Sequence, residues 1–143
     1  MPNIILDTNV ISEVMRERPR IEVLNWFSQQ EMDSLYLTSI TLSELWYGVE
    51  NLEPSHPKRP GLQAKLEILE QQFEQRILSF DAAAARLWGR LKGQGRPAER
   101  AVPDIDLQIA AIALRDDMTV ATANAKDFAS LGIPLVDPLS KAK

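Results

Sequence analysis

Near its N-terminus the chain reads Asn3-Ile4-Ile5-Leu6-Asp7-Thr8-Asn9. Three apolar residues, two of them β-branched, are followed by an acid, a hydroxyl and an amide. A short apolar run of this kind is typical of a strand buried on both faces of a parallel sheet. Asp7 then lies at the carboxyl end of the strand, the edge at which open α/β sheets bind ligands. The stretch therefore predicts an α/β fold and the position of a site.

The composition is that of one globular domain. Of the 143 residues, 45% are hydrophobic and 25% are charged, and none is cysteine. We predict a single domain over residues 1–143 with a flexible tail from about 138 to 143, and no disulfide or zinc–thiolate site. No apolar run reaches membrane-spanning length, and the first strand begins too early for a signal peptide. We therefore expect a cytoplasmic protein that does not bind membranes.

Strand and helix signals alternate along the chain. Strands are predicted at residues 3–6, 35–39, 77–80, 119–122 and 134–136. Helices are predicted at residues 10–17, 21–30, 41–52, 62–76 and 124–131, with one more capped by Asp81 and one beginning at Pro103-Asp104. Thr8 or Asn9 is the expected N-cap of the first helix, and residues 93–102 are expected to be a flexible connection. The alternation predicts a three-layer α/β/α fold with a mainly parallel central sheet.

Polar side chains fall at four junctions of these elements. Asp7 ends the first strand, Glu44 and Asp106 lie in the first turns of two helices, and Asn124 and Asp127 follow the fourth strand. Such junctions share one edge of a parallel sheet, so these residues can converge. Carboxylates without basic partners repel one another unless a cation lies between them. Oxygen ligands favour Mg²⁺ or Mn²⁺, which indicates phosphodiester hydrolysis by a metal-activated water.

Simpler interpretations compete for several of these residues. Glu44 stands three residues after Thr41, which is the spacing of a helix capping box and is favoured when Glu44 is taken alone. Asp104 is interpreted as a helix cap, and Asp106 alone fits a first-turn acid as well as a ligand. Asp7 is the hardest to explain structurally, because a carboxylate at the end of a buried strand is costly to desolvate.

The charge distribution bears on the class of substrate. The net charge of −4 argues against a general nucleic-acid binder, although one metal cluster of Asp7, Glu44 and Asp106 would hold three of those charges. His56 lies in a proline-rich loop and is expected to be exposed, and the three tryptophans are expected in the core or an interface. Five arginines are interpreted as solvated loop charges or, alternatively, as contacts to a phosphate backbone: Arg16, Arg18, Arg20, Arg96 and Arg100.

The same motifs resemble a known family. They are Ile5-Leu6-Asp7-Thr8-Asn9, Ser43-Glu44-Leu45, Asp106-Leu107-Gln108-Ile109-Ala110-Ala111, and Thr122-Ala123-Asn124 followed by Asp127-Phe128. In this order and spacing they resemble PIN-domain proteins, and most closely the VapC-type toxins of bacterial type II toxin–antitoxin systems, in the FitB-like branch. The resemblance covers essentially the whole chain, and no single motif within it is specific.

The resemblance implies a PIN-like fold and a Mg²⁺-dependent endoribonuclease, with Mn²⁺ as an alternative ion. Asp7, Glu44 and Asp106 match the family's acidic metal-binding positions. Asn124 stands where some relatives have a fourth acid, and Asp127 is the nearby acid that could serve instead.

Two further residues follow from the resemblance. Thr8 and Asn9 would hold Asp7 in place. The implied catalytic set is Asp7, Glu44, Asp106 and Asn124, with Asp127 as a further candidate ligand.

The implied partners are an RNA substrate and a small antitoxin whose tail covers the active site, with DNA contacted only through the antitoxin. A homodimer is expected, with apolar surface from the Trp46 region or from the helix at 62–76.

Two alternatives remain at this point. The first is a PIN module with little or no nuclease activity that acts with an antitoxin on operator DNA, which Asn124 keeps open. The second is a phosphatase-like hydrolase with Asp7 as nucleophile. It is disfavoured because Asn9 stands where a two-aspartate motif has its second acid.

Overall fold

The computed structural model describes residues 3–140. The strands are β1 (Ile4–Leu6), β2 (Leu35–Thr38), β3 (Ile77–Leu78), β4 (Thr119–Ala121) and β5 (Leu135–Val136). The helices are α1 (Thr8–Val14), α2 (Ile21–Ser28), α3 (Ser39–Glu50), α4 (Arg59–Gln72), α5 (Ala82–Gln94), α6 (Pro97–Arg100), α7 (Asp104–Asp116) and α8 (Ala125–Phe128). Single 3₁₀ turns lie at Met32–Ser34 and Ala129–Leu131. No helix in this range combines the length and the apolar character that crossing a bilayer requires.

The strands form one sheet in the order β3-β2-β1-β4-β5, and every pairing between them is parallel. β1 is the central strand, with Ile4 aligned with Leu35 of β2 on one side and with Thr119 of β4 on the other. A central parallel strand is buried on both faces, which explains the unbroken apolar run at its position in the sequence. The predicted parallel sheet is confirmed.

Helices cover both faces of the sheet. Ile4 and Leu6 pack into a core with residues of α1, α2, α3 and α4, whereas Ile5 packs into a second core with residues of α5 and α7. The separation follows from the pleat, because successive side chains of a strand point to opposite faces. The predicted three-layer α/β/α architecture is therefore confirmed.

α7 is the most deeply buried helix among the described residues. Six of its residues are 0% exposed: Leu107, Ile109, Ala110, Ala111, Ile112 and Ala113. The alanines allow close packing against α5 and the sheet, as the apolar sequence of this helix predicted. Burial of its body fixes the position of its first turn, in which Asp106 lies.

The first helix begins earlier than predicted. α1 starts at Thr8 rather than at residue 10, and its N-cap is Asp7 rather than Thr8 or Asn9. The Asp7 carboxylate accepts a hydrogen bond from the Thr8 backbone N–H at 2.8 Å. The strand-end acid therefore also satisfies one of the free donors at the start of a helix.

The predicted capping box at Thr41 is wrong. α3 begins at Ser39, and the hydroxyl of Thr38 accepts a hydrogen bond from the Thr41 N–H at 3.0 Å. Because the cap lies three residues earlier than predicted, Glu44 is in the second turn of α3. Its side chain is free of a capping role.

Other helix boundaries also differ, most of all those of α4 and of the segment before α7. α4 starts at Arg59, three residues before the predicted start, because Pro60 has the backbone angle that suits a first turn. It ends at Gln72 rather than at residue 76. The connection predicted to be flexible contains α6, in which the Glu99 carboxylate accepts a hydrogen bond from the Arg96 N–H at 2.8 Å. This local contact compensates for a sequence rich in glycine and charge.

The C-terminal segment ends in a turn. Asp137 accepts hydrogen bonds from the backbone N–H groups of Leu139 and Ser140, at 2.9 and 3.0 Å. The flexible tail was predicted from about residue 138 to 143, and residues 141–143 lie outside the described range.

Candidate active site

Asp7 is a buried acid held only by neutral partners. Asp7 is 4% exposed. Oδ1 accepts from the Thr8 N–H at 2.8 Å, and Oδ2 accepts from the Thr122 hydroxyl at 2.8 Å. Burial raises the pKa of the Asp7 carboxyl, and these two hydrogen bonds oppose the rise.

Thr122 joins the two central strands at this edge of the sheet. Its hydroxyl donates to Asp7 and accepts from the Asn124 N–H at 3.0 Å and from Asn9 Nδ2 at 3.4 Å. Asn9 Oδ1 in turn accepts from the Ala123 N–H at 3.2 Å. The Thr122 hydroxyl thus uses its one donor and both acceptor positions.

Asn9 therefore supports Asp7 through Thr122 rather than by a direct hydrogen bond. The role of Thr122 was missed at the level of sequence. A hydroxyl at the end of β4, directly beside β1, was the available signal.

A second hydroxyl group positions Glu44. The Thr8 hydroxyl donates to Glu44 Oε1 at 2.5 Å and lies 3.0 Å from the hydroxyl of Thr41. Thr8 and Glu44 are 36 residues apart in sequence. The contact therefore joins the start of α1 to the second turn of α3, and it holds Glu44 at the edge where Asp7 lies.

Asp106 lies in the first turn of α7, where the negative charges of the other acids act on it. Burial raises the pKa of its carboxyl to about 6, with repulsion from Asp7, Asp127 and Glu44 adding to the rise. Asp7 is similarly affected by Glu44 and Asp127. None of these four carboxylates forms an ion pair within residues 3–140. The site is an acidic cluster without a neutralising cation from the protein.

These residues line an open cleft of about 510 Å³. The cleft is lined by Asp7, Thr8, Asn9, Ser12, Glu13, Arg16, Glu44, Asp106 and Asn124. We call it the acidic cleft. The structure thus brings together Asp7, Glu44, Asp106 and Asn124, while Asp127 acts on the cleft through its charge without lining it.

Three residues of the wall were not predicted as site residues from their motifs. Ser12, Glu13 and Arg16 come from the exposed side of α1 and its C-terminal end. Arg16 was among the arginines considered as phosphate contacts. The signal for all three was their helical spacing from Thr8 and Asn9.

Oxygen donors dominate the acidic cleft, which is the donor chemistry that Mg²⁺ and Mn²⁺ prefer. Among the described residues, no three His, Asp or Glu side chains are grouped so as to hold an ion as they stand. The residues present therefore fit such an ion in charge and donor type. They do not form a closed coordination shell.

Two residues weighed in the sequence lie apart from this site. Asp104 is the first residue of α7, not its N-cap, and its carboxylate forms an ion pair with Lys92 at 2.9 Å. His56 Nδ1 accepts from the Lys58 N–H at 3.1 Å in the loop before α4. Neither lines the acidic cleft.

Comparisons with known proteins are consistent with this geometry. The model of the PIN domain family matches residues 4–133. The plasmid stability protein StbB of Pseudomonas syringae pv. tomato is 40% identical over 136 residues, which are 94% of this chain and 97% of that protein. VapC ribonuclease Y4jK of Sinorhizobium fredii is 34% identical over 141 residues, which are 97% of this chain and 99% of that protein. The solved structure of FitAB bound to an IR36 DNA fragment has a chain that superposes with a TM-score of 0.87 at 30% identity, covering 98% of both chains.

The Thr122 hydroxyl is expected to contribute to stability and to the charge state of Asp7. Thr122→Val keeps the side-chain shape but leaves Asp7 Oδ2 and the Asn124 N–H without their partner. We expect the free energy of unfolding to fall by about 1–3 kcal/mol in urea denaturation. The pKa of Asp7, followed by NMR of its carboxyl carbon, should rise further because the charged form loses a donor.

Thr119→Val is the matched control, because Thr119 lies on β4 three residues before Thr122 and its hydroxyl has no hydrogen-bond partner among the described residues. Equal losses of stability in the two variants would contradict the role of Thr122.

Asp106 is expected to make the metal-free protein less stable as pH rises. Its pKa is about 6 in the folded chain against 3.8 for the unperturbed group, so the folded state holds the proton more tightly. Stability from this group is fully present below about pH 4 and is lost as pH rises through about 6. Asp106→Asn should therefore be more stable than the native chain at neutral pH, by on the order of 1 kcal/mol after allowing for solvent screening.

The measurement is urea denaturation of both proteins in EDTA across this pH range. Taking the difference between them removes the contributions of other acids, such as Asp81. A difference that is the same at both ends of the range would disprove the assignment.

Proposed function

The chain belongs to the PIN-domain family, as its motifs predicted, and we propose that it is the toxin of a type II toxin–antitoxin system, a metal-dependent endoribonuclease. The observation that carries the proposal is the acidic cluster at the end of the central strand, in which Glu44 and Asp127 repel Asp7 and Asp106. None of the four carboxylates forms an ion pair among the described residues. Clustered carboxylates of this kind suit a divalent ion and a phosphodiester substrate. The name of the VapC relative, a ribonuclease, supports RNA as the substrate.

In this proposal Asp7, Glu44 and Asp106 hold Mg²⁺ or Mn²⁺, with Asp127 adding negative charge. When bound, the ion supplies positive charge that polarises the phosphoryl group and makes a nearby water more acidic. Asp7 is fixed by its two hydrogen bonds, so its position does not depend on the ion. This preorganisation limits the cost of assembling the site.

Glu44 either helps to hold the ion or accepts a proton from the attacking water. The Thr8 hydroxyl fixes Oε1, and Oε2 has no hydrogen-bond donor among the described residues. One carboxylate oxygen thus sets the orientation of the side chain while the other is available for the reaction. Thr8 therefore serves Asp7 through its backbone and Glu44 through its hydroxyl.

The proposed partners are a cognate antitoxin and, through it, operator DNA. A complex with DNA is the subject of the FitAB structure, whose chain resembles this one over nearly its whole length. The homodimer stays a prediction. The exposed side chains of Tyr47 on α3 and Ile68 on α4, 68% and 55% exposed, offer apolar surface for it. We propose that the protein acts in the cytoplasm, where its RNA substrate would be.

The alternative function is a PIN module with little nuclease activity that acts only with the antitoxin on DNA. One observation favours it: Asn124 lines the acidic cleft at the position where some relatives have an acid, so one wall is neutral. Binding of a divalent ion in the purified chain separates the two functions, because a module without catalysis has no need of it.

Removing a cluster carboxylate should abolish RNA cleavage. We expect Asp7→Asn and Asp106→Asn to lower Mg²⁺-dependent cleavage of cellular RNA by at least about 100-fold, because each removes a proposed ligand. Asn at residue 7 keeps an oxygen that can accept the Thr8 N–H, so the fold should survive. Gel analysis of RNA incubated with each purified protein and Mg²⁺ or EDTA makes the measurement.

Asp104→Asn is the control for these variants, since it changes the same residue type on the same helix outside the cleft. The proposed activity would be refuted if the native chain failed to cut RNA with either ion, or if Asp7→Asn cut it at the native rate.

Metal affinity can show whether Asn124 or Asp127 is the fourth ligand of the proposed metal site. Asp127 repels both Asp7 and Asp106 electrostatically, whereas Asn124 is neutral. We therefore expect Asp127→Asn to weaken Mn²⁺ binding by about tenfold, and Asn124→Ala to weaken it less, because cation affinity follows the charge of the site. Isothermal titration calorimetry measures both. A larger loss of Mn²⁺ affinity in Asn124→Ala would make the Asn124 amide the fourth ligand instead.

A further inference from the structure

A second cleft adjoins the acidic cleft and has the opposite charge. It has a volume of about 700 Å³ and lies between the C-terminal end of α1 and the start of α4. Arg16, Arg18, Lys58 and Lys65 line it, with Glu17 as the one acid among the lining residues. We call it the basic cleft. Such a concentration of cations is notable in a chain with a net charge of −4.

No carboxylate in the described part of the chain neutralises most of these cations. Arg18, Lys58 and Lys65 form no ion pair with any carboxylate among the described residues. Arg16 has one, at 3.3 Å from Glu13, and the Arg16 side chain is 66% exposed whereas that of Glu13 is 16% exposed. Because water screens the arginine, Arg16 can turn to an incoming phosphate, while Glu13 keeps its hydrogen bond from the Arg20 N–H at 3.1 Å.

The two clefts are adjacent. Arg16 lines both of them, so it stands at their boundary. Lys65 Nζ on α4 donates to the carbonyl of Met15 at 3.1 Å, which ties α4 to the end of α1. The two walls of the basic cleft are therefore joined by a hydrogen bond, and the cleft adjoins the acidic cleft at Arg16.

The floor of the basic cleft is suited to nucleotides. Met15, Pro57 and Leu62 lie among the cations and present apolar surface. The bases and sugars of a single strand are exposed and can bury part of their apolar surface against these side chains, while the phosphates meet the cations. A duplex presents its phosphates but not its base faces, so this combination favours a single strand.

We infer that the basic cleft binds the phosphates of a single-stranded RNA segment next to the cleaved bond and that Arg16 guides the backbone into the acidic cleft. The inference rests on the proposed ribonuclease function and names the surface that holds its substrate. RNA is favoured over an acidic peptide because the occupant must continue beside the acidic cluster. RNA carries a phosphate in every nucleotide, so successive phosphates would meet the cations of the basic cleft and then the proposed metal site of the acidic cleft.

Gly61 allows a charge to be placed in this cleft without disturbing the fold. It lines the basic cleft in the first turn of α4, and an added Cβ would meet no atom within 4 Å. A side chain there also suits a helix better than glycine does, and an acid suits a first turn. Gly61→Glu and Gly61→Gln differ in charge and little in shape, so comparing them isolates the electrostatic effect.

The experiment measures binding to a fluorescein-labelled single-stranded RNA of about 12 nucleotides, within the usual range of single-strand sites. Fluorescence anisotropy is recorded in EDTA over a series of salt concentrations, with all variants in the Asp106→Asn background so that the RNA is not cut. Arg18→Gln with Lys58→Gln removes two proposed contacts. Arg86→Gln with Arg90→Gln removes two exposed cations from α5, on the opposite face of the sheet.

We expect Gly61→Glu to bind the RNA at least about tenfold more weakly than Gly61→Gln, and the Arg18 and Lys58 pair to bind about tenfold more weakly than the background protein. The slope of log affinity against log salt should decrease by about 1.4 for that pair, or about 0.7 per lost phosphate contact on a single strand. The α5 pair should leave both quantities unchanged.

Equal losses in the α5 pair, or equal affinities of Gly61→Glu and Gly61→Gln, would overturn the inference. So would cleft variants that keep RNA binding but lose binding to the antitoxin, since the cleft would then belong to a protein partner. Failure of the proposed function has a separate signature: the native chain would bind the RNA, with the cleft variants impaired, yet would not cut it with Mg²⁺.

Discussion

The hydrogen bond from the Thr122 hydroxyl to the buried Asp7 carboxylate is the contact on which the site depends. It joins β1 to the loop after β4, and the other oxygen of Asp7 caps α1. One side chain therefore links the end of β1, the loop after β4 and the start of α1. Because all its direct partners are neutral, the acid is held in place without being neutralised. A buried acid held by an arginine would be equally well fixed but would have no remaining affinity for a cation.

The same absence of cations makes the site unfavourable for the fold by itself. Burial and mutual repulsion raise the pKa of Asp106 and of Asp7, so ionising the cluster works against the folded state. The fold tolerates this because α7 and β1 are anchored by apolar residues that are fully buried on both faces of the sheet. A divalent ion would relieve the repulsion, so the free energy that destabilises the metal-free chain would appear as affinity for the ion.

The sheet was largely predictable from the sequence, whereas contacts between distant residues were not. The apolar run of β1 and the buried body of α7 depend on burial alone, which periodicity reports directly. The capping box at Thr41 was wrong because Thr38, an equally good cap, lies three residues earlier and only the strand end decides between them. The contact of Thr8 with Glu44 spans 36 residues and has no local signature. Residues near the site were found from sheet topology, but their hydrogen-bond partners required the structure.

The pair of clefts shows why net charge is a poor guide to the substrate of this chain. The acids lie at the end of β1, and the cations of the α1–α2 loop and of the start of α4 lie beside them. The net charge of −4 therefore hides two neighbouring surfaces of opposite charge. The proposed function, cleavage of RNA with a divalent ion, would use such a separation. Cations placed among the acids would displace the ion, and acids placed along the substrate path would repel the backbone. Arg16 lines both clefts and so lies where the two requirements meet. Because the Arg16 side chain is 66% exposed, its pair with Glu13 is screened, and under the proposed function Arg16 would exchange it for a phosphate of the substrate.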